Sequence, residues 1–293
     1  MGSSSSIINL GELSKPVSIL IKKISAAVGM LYQPRYVMRM AEAEAEAAKI
    51  RALAQIEVSD IEQRTFLRMI TEESKKQENM ESITANAIQD IKPDAKAEDL
   101  DNDWLANFFD KCRLISNQEM QSLWSKILAG QTNLPGSFSR RTIELVSMLE
   151  KSDADLFTSL CAFNWVFDDR PVPVIFEEAD SIYAQHGIGL YRLLHLETLG
   201  LLRYESIGNF TFKSLSMKTK TSYFGAQFTL LSQPALSVEV PIGKVMLSRT
   251  GEELARICGA EKIDEFPEYA TKKWKERGFD VGYAPLPVTP LKN

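Results

Sequence analysis

The chain has few of the residues that build the commonest reactive and cross-linked sites. It contains three cysteines and two histidines among 293 residues. Cys112, Cys161 and Cys258 stand far apart and form no C-x-x-C pair, which argues against a disulfide framework and predicts reduced thiols in a cytosolic setting. With His186 and His195 as the only histidines, we expect no histidine-rich metal site.

Recognisable catalytic motifs are also missing. The segment HGIG contains G-x-G without the continuation of a dinucleotide fingerprint, and the chain has no Walker lysine. Asp168 and Asp169 precede Pro171, and we interpret them as turn residues rather than as a catalytic pair. Cys161 lies in the apolar segment SLCAF, which favours a place in the core. We therefore predict that the protein is not an enzyme and binds no metal or cofactor.

Charge and composition are those of an ordinary folded protein. The net charge is -5, with 44% hydrophobic and 25% charged residues, and the length suits about two domains. A negative chain is not attracted as a whole to nucleic acid, although local basic patches can be. The start, MGSSSS, lacks the basic region and cleavage site of a secretory signal and is expected to be a flexible leader.

Glycine and proline are absent from residues 35–92. The run AEAEAEAAKIRALAQIE is rich in strong helix formers, so this stretch predicts a long helical stalk. Its apolar seam is mostly alanine and buries little area, so neighbouring copies would supply the missing burial. The seam consists of Met40, Ala43, Ala47, Ile50, Ala54 and Ile61. The apolar pattern lapses at residues 71–79, which predicts a bend or break; the alternative for the whole stretch is a solvated helix in a bundle.

A short cationic and apolar element, residues 16–32, precedes the stalk. Pro16 suits the first turn of a helix and Ser14 suits its cap. At helical spacing, one stripe is apolar, while Lys22 and Lys23 lie off it. The stripe is formed by Val17, Leu20, Ile21, Ile24, Ala27, Val28 and Leu31.

Two interpretations of this element stay open. Two central charges and about 17 residues are too few apolar positions for a monomer to span a bilayer, but the helix could lie in the lipid interface or line a lumen in an oligomer. Alternatively, the stripe packs on the protein's own helices; docking at rest and release on activation agrees with both. The candidate membrane-active residues are Val17, Leu20, Ile21, Lys22, Lys23, Ile24, Val28 and Leu31.

Helical patterning resumes after a polar linker that follows Pro93. The segment DNDWLANFFDKCRLI has a broad apolar face with four aromatic or leucine positions. Ser116 or Asn117 is expected to cap the next helix, and Gly130 is expected to end it. Ser152 and Asp153 are expected to cap a further helix over ADLFTSLCAFNWVF.

Several strings in this region carry a family resemblance, among them FFDKCR, EMQSLW, KILAG and the later GKVMLSRTGEELARICG. Over about residues 40–277 the chain resembles an uncharacterised bacterial family of the domain-of-unknown-function type. Its helical region is also similar to the abortive-infection alpha (Abi-alpha) proteins. The family has no agreed catalytic residues to transfer. The resemblance implies a part in phage defence, through growth arrest or death of the infected cell.

The last part of the sequence mixes helices with strands. A helix over residues 188–198, a stop at Gly200, β segments and the helix GEELARICGA follow the order of a winged-helix domain. The first of these helices offers only Arg192 and His195 to a groove, so nucleic-acid binding is not favoured. Lys213, Lys218 and Lys220 form a small basic wing that could contact a partner or nucleic acid; a solvated hairpin explains them too.

These patterns predict a mainly α protein with a smaller α+β part. The expected parts are a leader and amphipathic helix (1–34), a stalk (35–92), a helical bundle domain (93–170) and a winged-helix-like domain (171–293). The favoured function is an antiphage effector, cytoplasmic at rest, that senses a phage protein or assembly, forms a homo-oligomer and perturbs the lipids of the inner membrane. The alternative is a soluble regulatory or scaffold protein whose winged-helix-like domain binds protein or nucleic acid.

Overall fold

The computed structural model describes residues 13–29, 60–214, 216–232 and 239–284. Helices and antiparallel strands both occur, so the fold is α plus β. The contacts divide the chain into two compact units, Met1–Ser147 and Met148–Asn293, called here the first and the second unit. The four predicted domain ranges stay predictions.

The described part of the first unit is helical. A proline near the start of its first helix and side-chain caps at two others explain where these helices begin. Asn117 Oδ1 accepts hydrogen bonds from the backbone of Glu119 and Met120, which confirms this predicted cap. The helices are α1 (Lys15–Val28), α2 (Asp60–Ile88), α3 (Asn102–Cys112), α4 (Gln118–Asn133) and α5 (Arg140–Met148), with a 3₁₀ turn at Ala97–Asp99.

Two sequence predictions for this unit are wrong. Residues 71–79 do not break the helix, because α2 is helical throughout from Asp60 to Ile88. Residues 71–79 are mostly good helix formers, and an ion pair one turn apart joins Arg68 to Glu72 at 2.8 Å. The apolar pattern lapses there because most of these side chains are exposed or half-buried, not because the helix ends. Gly130 does not end α4, which continues to Asn133.

The core of the first unit is aromatic, as the sequence predicted. Trp104 stacks on Phe108 with ring centroids 5.2 Å apart, and Phe108 meets the edges of Phe109 and Trp124. All four are buried. The Trp104 indole nitrogen donates to the carbonyl of Phe138 at 2.9 Å, so the ring that fills the core also holds the chain after α4.

The second unit contains helices and three antiparallel sheets. Its helices are α6 (Lys151–Cys161), α7 (Ser181–Gln185), α8 (Leu190–Thr198), α9 (Arg249–Ala255) and α10 (Phe266–Glu276). Its strands are β1 (Asn164–Phe167), β2 (Arg170–Pro173), β3 (Leu202–Tyr204), β4 (Phe210–Lys213), β5 (Lys218–Tyr223), β6 (Ala226–Ser232), β7 (Glu239–Gly243), β8 (Val245–Leu247) and β9 (Phe279–Ala284). The largest sheet has the order β2-β1-β5-β6-β9, and β3 pairs with β8 and β4 with β7.

Strands occur in this part of the chain, as the sequence predicted, but three details of the prediction are wrong. The N-cap of α6 is Glu150, so Ser152 and Asp153 lie inside the helix rather than before it. The predicted helix over ADLFTSLCAFNWVF ends at Cys161, and NWVF is strand β1, because Asp168 and Asp169 adopt positive φ angles of 45° and 61° and turn the chain into a hairpin with β2. This confirms the interpretation of the two aspartates as turn residues. The helix around GEELARICGA is followed by α10 and β9, which the sequence did not predict.

Aromatic rings also fill the core of the second unit. Trp165 packs edge-on against Trp274 with centroids 4.8 Å apart, and Phe163 packs edge-on against Phe266 at 4.9 Å. These residues bring β1, the end of α6 and α10 together. Cys161, which precedes Phe163 in the sequence, is also buried, as predicted.

Candidate functional site

The strongest sequence candidate is the amphipathic element at residues 16–32, and its described part, up to Gly29, forms helix α1 of the first unit and the residue that ends it. The helix packs against α3 and the 3₁₀ turn. Val17, Leu20 and Ile24 are 4%, 0% and 1% exposed, so these three residues of the apolar stripe are covered by the protein itself. This arrangement corresponds to the docked interpretation of the element.

One side-chain hydrogen bond holds α1 against the segment that follows the 3₁₀ turn. Lys23 Nζ donates a hydrogen bond to the carbonyl of Leu100 at 2.6 Å, so this lysine turns toward the protein. The ion pair between Lys15 and Glu98 is 3.7 Å long and exposed, and it adds little. Ser14 occupies the N-cap position, but its side chain makes no cap hydrogen bond, so its predicted capping role is wrong.

The remaining candidate residues of this element divide by exposure. Lys22 is exposed, whereas Ile21 and Val28 are half-buried. Leu31 lies outside the described residues, as do the alanine-seam positions from Met40 to Ala54. The last residue of that seam, Ile61, is exposed on α2. The described α1 therefore has one apolar face turned to the protein and two lysines, Lys15 and Lys22, directed to solvent.

The three lysines of the predicted basic wing lie in two different sheets. Lys213 is at the end of β4, where its Nζ is 3.6 Å from Glu239 Oε1 on β7. Lys218 and Lys220 share the exposed face of β5 in the five-stranded sheet, opposite Leu231 and Thr229 of β6. Two adjacent cations thus remain on one exposed strand, while the third has an acidic neighbour.

The acid, histidine and cysteine side chains of the second unit, and Cys112 of the first, make contacts that stabilise the fold. Asp153 Oδ1 is 2.7 Å from His195 Nε2, and Asp153 also accepts from the backbone of Glu150 at the start of α6. This carboxylate thereby ties α6 to α8 instead of facing an open cleft. Burial raises the pKa of the Cys112 and Cys161 thiols, which disfavours reactive thiolates at both.

Sequence reasoning missed a groove on the first unit. It has a volume of about 440 Å³ and lies between α2 and the turn after α3. We call it the basic groove, and its lining residues are Glu72, Lys75, Lys76, Asn79, Arg113 and Leu114. The sequence holds only a partial signal, the KK pair at residues 75–76, because the other wall comes from more than thirty residues later.

Within the described ranges, no group of three or more His, Cys, Asp or Glu side chains could hold a metal ion. Of the helices that the structure describes, none combines the length and apolar character needed to cross a membrane.

Comparison with known protein families gives a match over most of the chain. A family model described as a protein of unknown function (DUF2806) matches residues 63–271. No curated protein and no solved structure matches the chain. The matched region begins in α2 and ends in α10, so it includes the basic groove and leaves out α1.

Proposed function

Since this chain belongs to the DUF2806 family of proteins of unknown function, membership brings no activity with it, and we propose from its own residues that it is an antiphage effector acting on the inner membrane. In this proposal the protein is cytoplasmic at rest and is not an enzyme. A phage protein or assembly binds its body, copies of the chain assemble into a homo-oligomer, and α1 leaves its docking site to perturb the lipid. The proposal also includes two statements about relationship and fold: that the chain is related to the Abi-alpha proteins, and that its first unit is a helical bundle.

The docked state of α1 is the observation that supports the proposal best. The residues suited to the lipid interface, Val17, Leu20 and Ile24, are the ones it buries against α3 and the 3₁₀ turn. Burial of each side chain of this size contributes about 1.5–3 kcal/mol to the docking of α1. To shift the equilibrium from docked to released α1, a ligand must bind the released state more tightly by several kcal/mol. A released helix of 14 residues is marginal in water and would need another apolar surface.

Weakening the docking site without changing α1 tests this proposal. Leu100→Ala truncates a buried side chain on the residue whose own carbonyl accepts the hydrogen bond from Lys23. We expect the variant to bind vesicles of phosphatidylglycerol and phosphatidylethanolamine and to release an enclosed dye more than the unaltered protein does. Adding Ile24→Asp should abolish both effects, because a carboxylate on the apolar face opposes entry into lipid.

A control separates release of α1 from general destabilisation. Leu230→Ala removes an equally buried leucine from β6 in the second unit and should not increase leakage. The membrane part of the proposal fails if Leu100→Ala causes no leakage and if Ile21→Asp and Ile24→Asp leave protection against phage unchanged in cells.

A second candidate function rests on the second unit. We propose as the alternative that it is a winged-helix-like module of a regulatory or scaffold protein, which binds protein or nucleic acid. Helix α8 is followed by β3, and the partner of β3 is β8, so β4 to β7 are inserted between the two strands as an enlarged wing. Lys218 and Lys220 lie exposed on that insertion.

Duplex DNA binding measured at several salt concentrations tests this alternative. Replacing Lys218 and Lys220 with glutamine should weaken binding and lower the salt slope by about two, since each phosphate contact contributes about one. Lys213→Gln is the matched control, because this lysine already has Glu239 as a neighbour. Absence of binding at low salt excludes nucleic acid as the partner of this surface.

A further inference from the structure

The basic groove has two walls that are held in register by buried amides. Residues 72, 75, 76 and 79 lie along one face of α2, while Arg113 and Leu114 follow α3. Asn79 Nδ2 donates to the carbonyl of Arg113 at 2.9 Å, and Asn79 Oδ1 accepts from Gln121 Nε2 at 3.2 Å. Because Asn79 is buried and bonded on both sides, the groove is a built feature of the first unit.

The lining carries an excess of positive charge. Lys75, Lys76 and Arg113 face one lining acid, Glu72, which already pairs with Arg68 on the same helix at 2.8 Å. Lys75 is exposed and forms no ion pair with a described residue. Among the described residues, Lys75 is therefore a cation of the groove without an ion-pair partner, and it can pair with a negative ligand.

The other two cations keep donors as well. Lys76 Nζ is 2.5 Å from Glu73, and Arg113 Nη2 is 2.9 Å from Asp110, but lysine has three donors and arginine five. Lys76 and Arg113 therefore keep donors beyond their ion pairs, and a ligand carboxylate is an acceptor of the required kind.

Size and mixed polarity narrow the class of ligand. A volume of about 440 Å³ lies in the range of ligand-binding clefts and accommodates a few side chains rather than a nucleic-acid duplex. Leu114 is 67% exposed and adds an apolar contact beside the cations. An acidic side chain with an apolar neighbour matches this combination.

We propose that the basic groove binds an acidic segment of a partner protein. A glutamate or aspartate of that segment pairs with Lys75 and Arg113, the amide of Asn79 marks the floor, and an apolar side chain of the segment rests on Leu114. This inference does not depend on membrane activity, because its residues lie on α2 and after α3, and the binding is measured without lipid.

Fluorescence anisotropy with a labelled synthetic peptide tests the inference on the full chain. The probe has two glutamates flanked by leucines between terminal glycines, and its counterpart has glutamine in place of glutamate. We expect the glutamate peptide to bind at least tenfold more tightly than the glutamine peptide. Lys75→Gln should weaken binding at least threefold, and the double variant with Arg113→Gln at least tenfold, because each removes a charge-assisted contact.

Two variants separate a specific loss of binding from a general loss of charge or of folding. Lys272→Gln removes an exposed lysine of α10 and should leave binding unchanged. Lys75 is exposed, so Lys75→Gln should retain the thermal unfolding curve and remains informative even if the Arg113 variant does not fold. No binding at about 1 mM peptide, equal affinity for both peptides, or no effect of Lys75→Gln overturns the proposal. Displacement by inorganic tripolyphosphate at lower concentration than by unlabelled peptide overturns it in favour of a phosphate site.

Discussion

Gly251 sits where two parts of the chain approach too closely for a side chain. A Cβ atom at this position would lie 2.0 Å from the carbonyl oxygen of Leu201. The same carbonyl accepts a hydrogen bond from the backbone of Ser248 at 3.0 Å, and Ser248 Oγ accepts one from Gly251. The start of α9 is thus seated on the turn that follows α8, and the string LSRTGEEL has a packing reason for its glycine.

Gly251→Ala should therefore destabilise the second unit by about 3 kcal/mol or more, because the atom that must move is backbone. Urea unfolding followed by tryptophan fluorescence measures the change. Gly189→Ala is the control: its φ is -164° and a Cβ there meets nothing within 4 Å, so a change within about 0.5 kcal/mol is expected. Similar stabilities for the two variants would contradict the close approach at Leu201.

Tyr223 gives a prediction for alkaline pH. Its hydroxyl donates to the carbonyl of Ala162 at 2.8 Å and accepts from the backbone of Ile263 at 2.8 Å. Burial raises the pKa of Tyr223 from 10.0 to about 12. The unfolded chain then releases this proton before the folded chain does, so the stabilisation is complete below pH 10 and is lost as the pH rises toward 12.

The free energy of unfolding should accordingly fall between pH 10 and 12, and it should fall less in Tyr223→Phe. Burial also raises the pKa of Tyr183 and Tyr269, so the difference between the two proteins is the quantity to compare. Tyr191→Phe removes a tyrosine whose ring is 86% exposed and is the control. An identical pH profile for Tyr223→Phe and the unaltered protein would exclude this role.

Among the elements, α2 and α4 are joined by a polar network as well as by apolar side chains. Gln121 Nε2 donates to the carbonyl of Ile115 at 2.8 Å and to Asn79 Oδ1, and Gln121 Oε1 accepts from Ser82 at 2.9 Å. Gln121 and Asn79 are buried, so their bonds are shielded from water. This network holds the helix that lines the basic groove.

Gln121→Ala should cost about 2–4 kcal/mol, because it leaves three polar groups without their partner and each bond contributes about 0.5–1.5 kcal/mol. Hydrogen exchange of the backbone amides in α2 and α4 should become faster. Gln118→Ala, at the exposed first position of α4, removes the same side chain without this network. Unchanged exchange in Gln121→Ala would show that the apolar contacts alone hold α2.

How far the sequence predicts these elements depends on whether the cause is local. The Asn117 cap and the turn at Asp168 and Asp169 were predictable, because neighbouring backbone and side chains produce them. The continuation of α4 past Gly130 was not, since the glycine is there for the ring of Phe138, 2.6 Å from its would-be Cβ. The end of α4 is therefore determined by long-range packing, which a local sequence pattern does not contain.

The same limit applies to the candidate sites. The apolar stripe of α1 was predictable from its spacing, but its burial against α3 and the turn of Lys23 toward Leu100 depend on residues far along the chain. The basic groove could not be predicted, because Lys75 and Arg113 become neighbours only when α2 packs beside α3.

At the scale of the whole molecule, each unit has its own aromatic core. Trp104 and Trp124 are buried in the first unit, and Trp165 and Trp274 in the second. The ring contacts of these tryptophans are made within their own unit. A core of this kind in a segment of about 150 residues is what an independently folding domain needs.

We therefore expect residues 148–293, produced alone, to fold. The fragment should unfold cooperatively on heating and keep a shielded emission from Trp165 and Trp274, because both rings are covered by residues of the same unit. Gly251→Ala should lower its midpoint as it does in the full chain. A fragment that begins at residue 171, the predicted domain boundary, is the control: it lacks β1 with Trp165, so it should lose the cooperative transition. If both fragments unfold alike and gradually, the division at Ser147 does not mark an independently folding unit.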